Sequence, residues 1–547
     1  MGFKFKSRTG FVVGLGVTIG VGLFATHARA ATSSNNLKAT PGDYLVEMVP
    51  NSASVEDFSM MMPTRSKIEP LGLRGWYHIK VPAQAAKEGY SVEALSHLPG
   101  VLYVQPNYKI HLLGNPSLDK LRAEVQQKLL AWRERSQNAG GRSNPCPIPI
   151  PGICNPNGGG GNNPGGGGGL PGGGTTPTTK PPIPAPVAPT YAGPDPLFKK
   201  QWGMITVGVK DHLIQNAKPV VVAVLDTGID YTHPDLVSNL WRNPGEMGTD
   251  ASGRNKATNQ IDDDNNGYVD DVIGWDFVDN DNKPYDKTTP AIQLILGQGG
   301  NPGHGTHCSG NVGARGDNGI GISGADPTAK IMALRFISKK GEGTTANAVK
   351  AIMYAVNNGA QVMSNSWGSN GDDPKDPAGN KALHDAIKYA QQRGVLFVAA
   401  AGNGNAQGVG FDNDTSATPA VPASYPYNII ISVAALDQNG NLASFSNWGK
   451  KSVDIGAPGV KIFSTIPGGK YSDTIFNFGG GMVAYWDGTS MATPHVAGAA
   501  ALYLATHPNA TWQEVKAAIL NSATPVASLA DKVVSGGELN VQRMLQE

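Results

Sequence analysis

Three short stretches bring reactive side chains to places where a fold can aim them. In Val222-Ala223-Val224-Leu225-Asp226-Thr227-Gly228 an acid follows directly on a run with buried-strand character. A carboxylate there is costly unless hydrogen-bonded or paired, so Asp226 reads as either a turn residue or a partnered acid. Gly303-His304-Gly305-Thr306-His307-Cys308 sets two imidazoles three residues apart, between glycines that let the backbone run close to other groups. On one helical face such a pair suits a zinc hydrolase. No acidic helper follows at helical spacing, however, and a buried, hydrogen-bonded His307 is the plainer reading. Ser490 opens an Ala- and Gly-rich helix in Gly488-Thr489-Ser490-Met491-Ala492-Thr493-Pro494-His495. Serine at a helix start is commonly just a cap. Here the small neighbours leave room for a substrate, and the helix N-terminus favours developing negative charge.

In chain order these stretches read VLDTGID, GHGTHCSG and GTSMATPHVAG, and together they resemble the subtilisin-like serine protease (subtilase) family over about residues 196–547. The resemblance implies that Ser490 attacks a scissile carbonyl, His304 moves the proton, and Asp226 holds the ring and stabilises its cation. It assigns Asn403, in Ala399-Ala400-Ala401-Gly402-Asn403, to the oxyanion hole beside the Ser490 N–H. It also implies that Ser366-Trp367-Gly368 and Gly341-Glu342-Gly343 pair with substrate backbone as an added strand. Ser366 to Gly368, Ala401, Gly402 and the region around Ala420-Val421-Pro422 would wall the specificity pocket, where no acid falls, favouring large apolar or aromatic side chains. Cys308 matches the free cysteine of thermitase-like and proteinase K-like members, so a buried, unpaired thiol is expected. An inert, protease-like binding protein is the competing class, and the intact set of four residues argues against it.

Structural calcium follows from the same resemblance. Asp276, Asp279 and Asp281 resemble a calcium loop of thermitase-like members, and Asp235 matches a ligand of the family's tightest site, completed by Asp317 or Asn318. The residues alone suggest a third cluster. Asp262, Asp264 and Asn266 place oxygen donors at the alternating positions of an EF-hand-like loop, although the terminal Glu is missing and a solvated acidic loop is the competing reading. Between Asp286 and Gly303 the chain carries an extra segment with Ile292 to Leu296, read as a flap near His304 with no role assigned.

The elements that must position these groups are short apolar strands alternating with amphipathic helices. Strands are predicted over 220–225, 330–337, 362–366, 395–401 and 429–434, and helices over 344–357, 380–393, 490–504 and 511–521. Such alternation predicts an α/β fold with a mostly parallel sheet covered on both faces. Ligands then gather beyond the carboxyl ends of the strands, where Asp226 and Asn403 fall. Ahead of it, residues 40–112 read as a small α+β domain resembling the family's inhibitory propeptide, with strands over 44–49, 76–81 and 101–104, helices over 55–62 and 91–97, and an exit at Gln105-Pro106-Asn107-Tyr108. An independent binding module is its bland alternative.

Residues 113–195 read as a flexible Gly/Pro-rich linker that includes a charged, solvated helix over 118–137. Residues 1–30, with Lys4, Lys6 and Arg8 before an apolar run and Ala28-Arg29-Ala30 after it, read as a secretory signal peptide. The alternative, a membrane anchor, needs roughly 18–20 apolar residues. The 547-residue chain carries 44 basic and 43 acidic residues, a balance that offers no electrostatic grip on nucleic acid or an anionic membrane. Its three cysteines leave open whether Cys146 and Cys154 pair. The expectation is a secreted, monomeric, self-processing endopeptidase, extracellular or periplasmic, acting on proteins or peptides, with its own propeptide as inhibitor.

Overall fold

The apolar runs at Lys330–Arg335, Val221–Asp226, Val362–Asn365, Leu396–Ala400 and Ile430–Leu436 lie side by side in that order. They are parallel throughout, with Asp226 opposite Arg335 and Val224 opposite Ser364. The computed structural model describes residues 29–30, 39–49, 55–138, 148, 179–210, 217–370, 379–477 and 482–546. Among these, the sheet extends to nine strands, with Gly274–Asp276 on one edge and Ile455–Pro458 followed by a short hairpin on the other. Its central strands are buried along their whole length, which is why they read as unbroken apolar runs rather than alternating ones.

Helices cover both faces. Thr489–Thr506 is apolar all round and buried from Thr489 to Ala505, as a helix running through a core must be. Lys381–Gln392 buries Leu383, Ala386 and Ile387 on one face and leaves its charged side outward. The elements predicted for this domain are found with their ends within two residues, and the α/β class holds.

The N-terminal unit is an antiparallel sheet of Lys67–Pro70, Trp76–Lys80, Ala39–Met48 and Val101–Leu112, backed by the helices Val55–Met61 and Val92–Ser96. Phe58, Leu95, Ile79, Val46 and Val104 form its core. It is an α+β unit of the kind that fits a propeptide. Arg29–Ala30 adds a short parallel strand to it.

Two expectations need correction here. The strand does not end at Val104 but continues to Leu112: Gln105, Pro106 and Tyr108 stand opposite Leu45, Tyr44 and Ala39, and residues 109–112 then pair with the larger domain. Gln105 Oε1 accepts the Ala382 N–H (2.9 Å) and Asn107 Oδ1 the Ala346 N–H (2.9 Å), satisfying donors left open at the starts of two helices. The helix, spanning Pro116–Asn138, is not a solvated one: Leu118, Leu121 and Val125 are buried against the larger domain. Its dense charge hid an apolar stripe spaced three and four residues apart. Cys146 and Cys154 lie outside the described residues.

Candidate active site

Asp226 ends its strand with the backbone already committed, its carbonyl accepting the Phe336 N–H (3.0 Å). Its buried carboxylate takes the Thr227 N–H (2.7 Å) and lies 2.8 and 3.0 Å from His304 Nδ1. An ionised carboxylate can only accept, so Nδ1 carries the proton and neutral His304 presents Nε2 as its base. That Nε2 is buried with no hydrogen-bond partner.

His304 opens the helix His304–Gly313, and Gly303 before it stands at φ 107°, where a Cβ would meet Pro467 Cδ at 2.5 Å. Asn301 Oδ1 accepts both the Gly303 and His304 N–H groups (2.9 Å each), and its Nδ2 donates to Asp286 (2.7 Å). Asp286, fully buried, also accepts from Thr227 Oγ1 (2.9 Å) and from the Thr306 N–H and hydroxyl (3.0 and 2.6 Å). One carboxylate thus clamps the segment after Asp226 to the helix bearing His304. Burial pushes its pKa up to about 6, against the pull of those hydrogen bonds. Asp286 and Asn301 were missed in the sequence, where neither stands in a motif.

Burial pulls the His304 pKa down, but the Asp226 carboxylate outweighs it and holds the imidazolium well above histidine's ordinary value. His307 is held the other way, down to about 3, because burial dominates. Its Nε2 lies 2.9 Å from the Ile462 carbonyl and its ring stacks on Trp486 at 4.3 Å. His307 is therefore a packed core histidine, and the two imidazoles do not converge as a zinc pair. Cys308 is fully buried, 3.8 Å from His304 Nδ1, with its thiol pKa raised by burial. It is unpaired, as expected, and burial keeps it from acting as a thiolate nucleophile.

Ser490 lies in the first turn of the helix Thr489–Thr506. Its hydroxyl donates to the Ser366 carbonyl (3.1 Å), so in this rotamer it is turned away from His304. Asn403 Oδ1 accepts both the Thr489 N–H and the Thr489 hydroxyl (2.8 Å each). Those donors fix the amide's orientation and leave Nδ2 to donate to the Gly114 carbonyl at 2.7 Å. Thr489 is thus a positioning residue for Asn403, unseen in the sequence because serine and threonine at a helix start read as caps. We expect Asn403→Ala to lower kcat by ~10²–10³ with KM nearly unchanged. A rise in KM at constant kcat, measured on the processed enzyme, would mark Asn403 as a binding group instead.

The long strand from the N-terminal unit enters this cleft and pairs antiparallel with both edges. Leu112 stands opposite Trp367 and His111 opposite Gly368; on the other side Ile110 faces Gly343 and the Leu112 N–H donates to Gly341 O (3.0 Å). The cleft-edge residues Trp367, Gly368 and Gly341 are brought together around one extended peptide, while Ser366 bonds Ser490, its Oγ donating to the Ser490 carbonyl (2.9 Å). Leu113 follows, buried, with Cδ2 at 3.5 Å from where a Gly368 Cβ would stand. Gly402, at φ 111°, turns the chain towards Asn403 beside Ala420, whereas Ala401 packs behind the site with Ala434 and Leu436.

The acidic groups differ in whether they fit a cation. Glu246, Asp262 and Asp264 bring carboxylate oxygens within 4.8 Å of one another. Glu246 is fully buried, and its Oε2 has no hydrogen-bond partner. Burial first, then the neighbouring Asp271, Asp264 and Asp263, push its pKa up to about 7. An orphaned buried oxygen among carboxylates fits a hard cation. Asn266 lies at the edge, its Nδ2 donating to Asp264 (3.2 Å) and Asp271 (2.9 Å). Asp276, Asp279 and Asp281 also converge, but Lys180 Nζ stands 2.6–2.7 Å from Asp276 and Asp281, and Arg335 and Lys287 pair with Asp279. Ammonium and guanidinium groups take the place a metal would use, so this loop does not fit an ion in this form. At Asp235 the contact is made by Asn318 Nδ2 (2.7 Å) and the Ile322 N–H (2.8 Å), while the Asp317 N–H bonds Asp195. Both Asp235 oxygens are therefore satisfied by protein donors. Burial raises Asp195 to about 7, and Asp235 and Asp317 add to the rise. Glu246 and Asp195 had no sequence signal beyond being isolated acids in turns.

Comparison with known proteins gives a consistent picture. Residues 217–543 match the Subtilase family (Peptidase S8). The chain is 34% identical to thermitase of Thermoactinomyces vulgaris, over 62% of its own length and 93% of that protein. It is 36% identical to the thermophilic serine proteinase of Bacillus sp. (strain AK1), over 56% of its own length and 57% of that protein. The crystal structure of fervidolysin from Fervidobacterium pennivorans, described as a keratinolytic enzyme related to subtilisin, superposes with a TM-score of 0.59 at 24% identity. That likeness covers 95% of this chain and 63% of that one, and concerns the fold.

Proposed function

The chain belongs to the subtilase family of serine endopeptidases, and on that premise we propose that Asp226, His304 and Ser490 hydrolyse peptide bonds through an acyl-enzyme, with the chain's own N-terminal unit as first substrate and then inhibitor. The observation that carries this reading is the Gly114 carbonyl on Asn403 Nδ2, at the end of a strand paired to both edges of the cleft. A peptide already lies across the catalytic groups.

The chemistry requires one movement. Ser490 Oγ turns about a single bond from the Ser366 carbonyl towards His304 Nε2, which accepts its proton as Oγ attacks the carbonyl carbon. Asn403 Nδ2 faces the oxyanion, and the helix N-terminus adds its field. Collapse of the intermediate expels the amine, which receives the proton from His304; the same nitrogen then deprotonates the water that releases the acyl group. The carbonyl held by Asn403 belongs to the Gly114–Asn115 bond, and the first cut falls there. N-terminal sequencing of the first cleavage product is expected to begin at Asn115. A product beginning at any other residue would contradict the assignment.

Leu113 beside Gly368 supports a preference for apolar residues before the cut. The leader-like residues 1–30 support export to the extracellular space or the periplasm, and among the described residues no helix is long and apolar enough to cross a membrane. The enzyme is taken to act as a monomer on proteins and peptides.

Glu246, Asp262 and Asp264 are the residues we assign to structural calcium, which would neutralise their mutual repulsion. An ion at ~100 times its Kd stabilises the fold by about 2.7 kcal/mol. In the inactive Ser490→Ala chain, a chelator should therefore lower the Tm, and Glu246→Gln should remove most of that sensitivity. The sign with pH is set by the raised Glu246 pKa: without ion, stability falls as pH rises from about 4.5 towards about 7, and the ion suppresses the fall. Identical melting curves with and without chelator across that window would remove calcium from the account.

A further inference from the structure

The residues just past Gly114 do more than leave the cleft. Asn115 Oδ1 accepts the Leu118 N–H (2.9 Å) and so caps the helix Pro116–Asn138, while its Nδ2 donates to the Asp487 carbonyl (2.9 Å), three residues before Ser490. Proline at the first helical position suits such a start. The helix then brings Leu118, Leu121 and Val125 into one buried cluster with Leu294 and Ile295 of the short helix Ala291–Ile295 and with Trp486 and Met491, the latter next to Ser490. Arg122 fastens the same face, Nε donating to Leu294 O (2.6 Å) and an Nη to Gly299 O (3.1 Å), and Ser117 Oγ accepts the Tyr485 N–H (2.9 Å). The extra segment between Asp286 and Gly303, whose role the sequence left open, is thus the seat of this helix.

This helix begins two residues after the carbonyl held by Asn403, so it occupies the leaving-group side of the cleft, opposite the strand that fills the acyl side. None of its contacts depends on the bond to be cut. Once that bond is broken the helix remains covalently joined to the peptidase domain through the chain that follows, so its docking is an intramolecular event.

We propose that Pro116–Asn138 is a second inhibitory element, one that stays on the leaving-group side after the first cut and excludes protein substrates until it is displaced. The inference rests on the self-processing reading above and adds an intermediate to it: an enzyme open on the acyl side and closed on the other. Such an enzyme accepts a short peptidyl-nitroanilide, whose leaving group reaches no further than the scissile bond, and rejects a folded or extended protein.

The test follows the full-length chain as it matures, assaying a peptidyl-nitroanilide and casein in parallel and following the fragments by mass spectrometry. Nitroanilide hydrolysis should appear with release of the N-terminal unit. Casein hydrolysis should lag, rising at least tenfold when the fragment bearing residues 116–138 is lost. In Val125→Asp the lag should shorten or vanish while nitroanilide turnover stays within about twofold. Should that variant fail to fold, the time course of the parent chain decides alone. Casein and nitroanilide activities that rise together while the helix is still attached would overturn the proposal. Nitroanilide activity without any cut near Gly114 would instead overturn the self-processing reading and leave the helix unaccused.

Discussion

Replacing Ser490 with Ala leaves a precursor that does not cut itself and has lost about 10⁶-fold in kcat, the scale on which a serine and its base fail together. The expectation follows from position. Ser490 stands in the first turn of a fully buried helix, 3.1 Å from one carbonyl and beside an amide that already holds a peptide carbonyl. Removing one oxygen deletes the nucleophile and almost nothing else: the side chain is small and its single donated bond goes to Ser366 O. The fold should therefore survive, and the N-terminal unit should remain attached on a denaturing gel. Processing at the parental rate would mean that another protease makes the cut.

The second large effect is that of Asp226→Asn, about 10⁴-fold in kcat. An amide in this place offers an NH₂ group as well as an oxygen, and nothing then compels Nδ1 to be the protonated nitrogen. The variant also loses the charge that holds the His304 cation. In the parent, His304 must be neutral to act, and its pKa is raised above histidine's ordinary value. Activity should consequently climb with pH along a limb lying above about 6.5, the value at which an unperturbed imidazole would place it. In Asp226→Asn the limb should move to lower pH, since burial is then opposed only by the neighbouring Cys308. A pH profile that shifts upward, or does not shift, would contradict the electrostatic role given to Asp226.

How far the site was readable beforehand depended on whether its residues sat in one stretch of chain. Asp226, His304, Ser490 and Asn403 could be named because each sits in a motif that resembles the family's, and the α/β alternation separately placed Asp226 and Asn403 just past strand ends. Groups that act across long separations could not. Lys180 reaches Asp276 from 96 residues away, and no periodicity reports such a pairing; the acids alone looked like a metal loop. Thr489 drew no role within the motif around Ser490, although its two donors orient Asn403. Pro106 looked like the end of a strand because it brings no donor to a ladder. The strand persists because Ala39–Met48 still runs beside it and because residues 109–112 find new partners on the larger domain, which only the docked structure reveals. The charged helix after Gly114 looked solvated for a related reason: an apolar stripe of three residues is faint until the surface it meets is known.

These corrections share a consequence for mechanism. The cleft is not an empty groove awaiting substrate. On one side it holds a paired strand, on the other an anchored helix, with Gly114 between them at the amide of Asn403. In the function proposed above, catalytic competence and inhibition draw on the same contacts, and maturation would consist in losing them in order.

The most direct measurement is active-site labelling with a fluorophosphonate on the processed enzyme, followed by peptide mapping. One equivalent of label should be found on Ser490, and the same reagent should leave His304→Ala almost unmodified, because the hydroxyl reacts only when Nε2 can take its proton. Label carried by any other residue, or undiminished labelling of Ser490 without the imidazole, would show that these side chains do not work as the unit described.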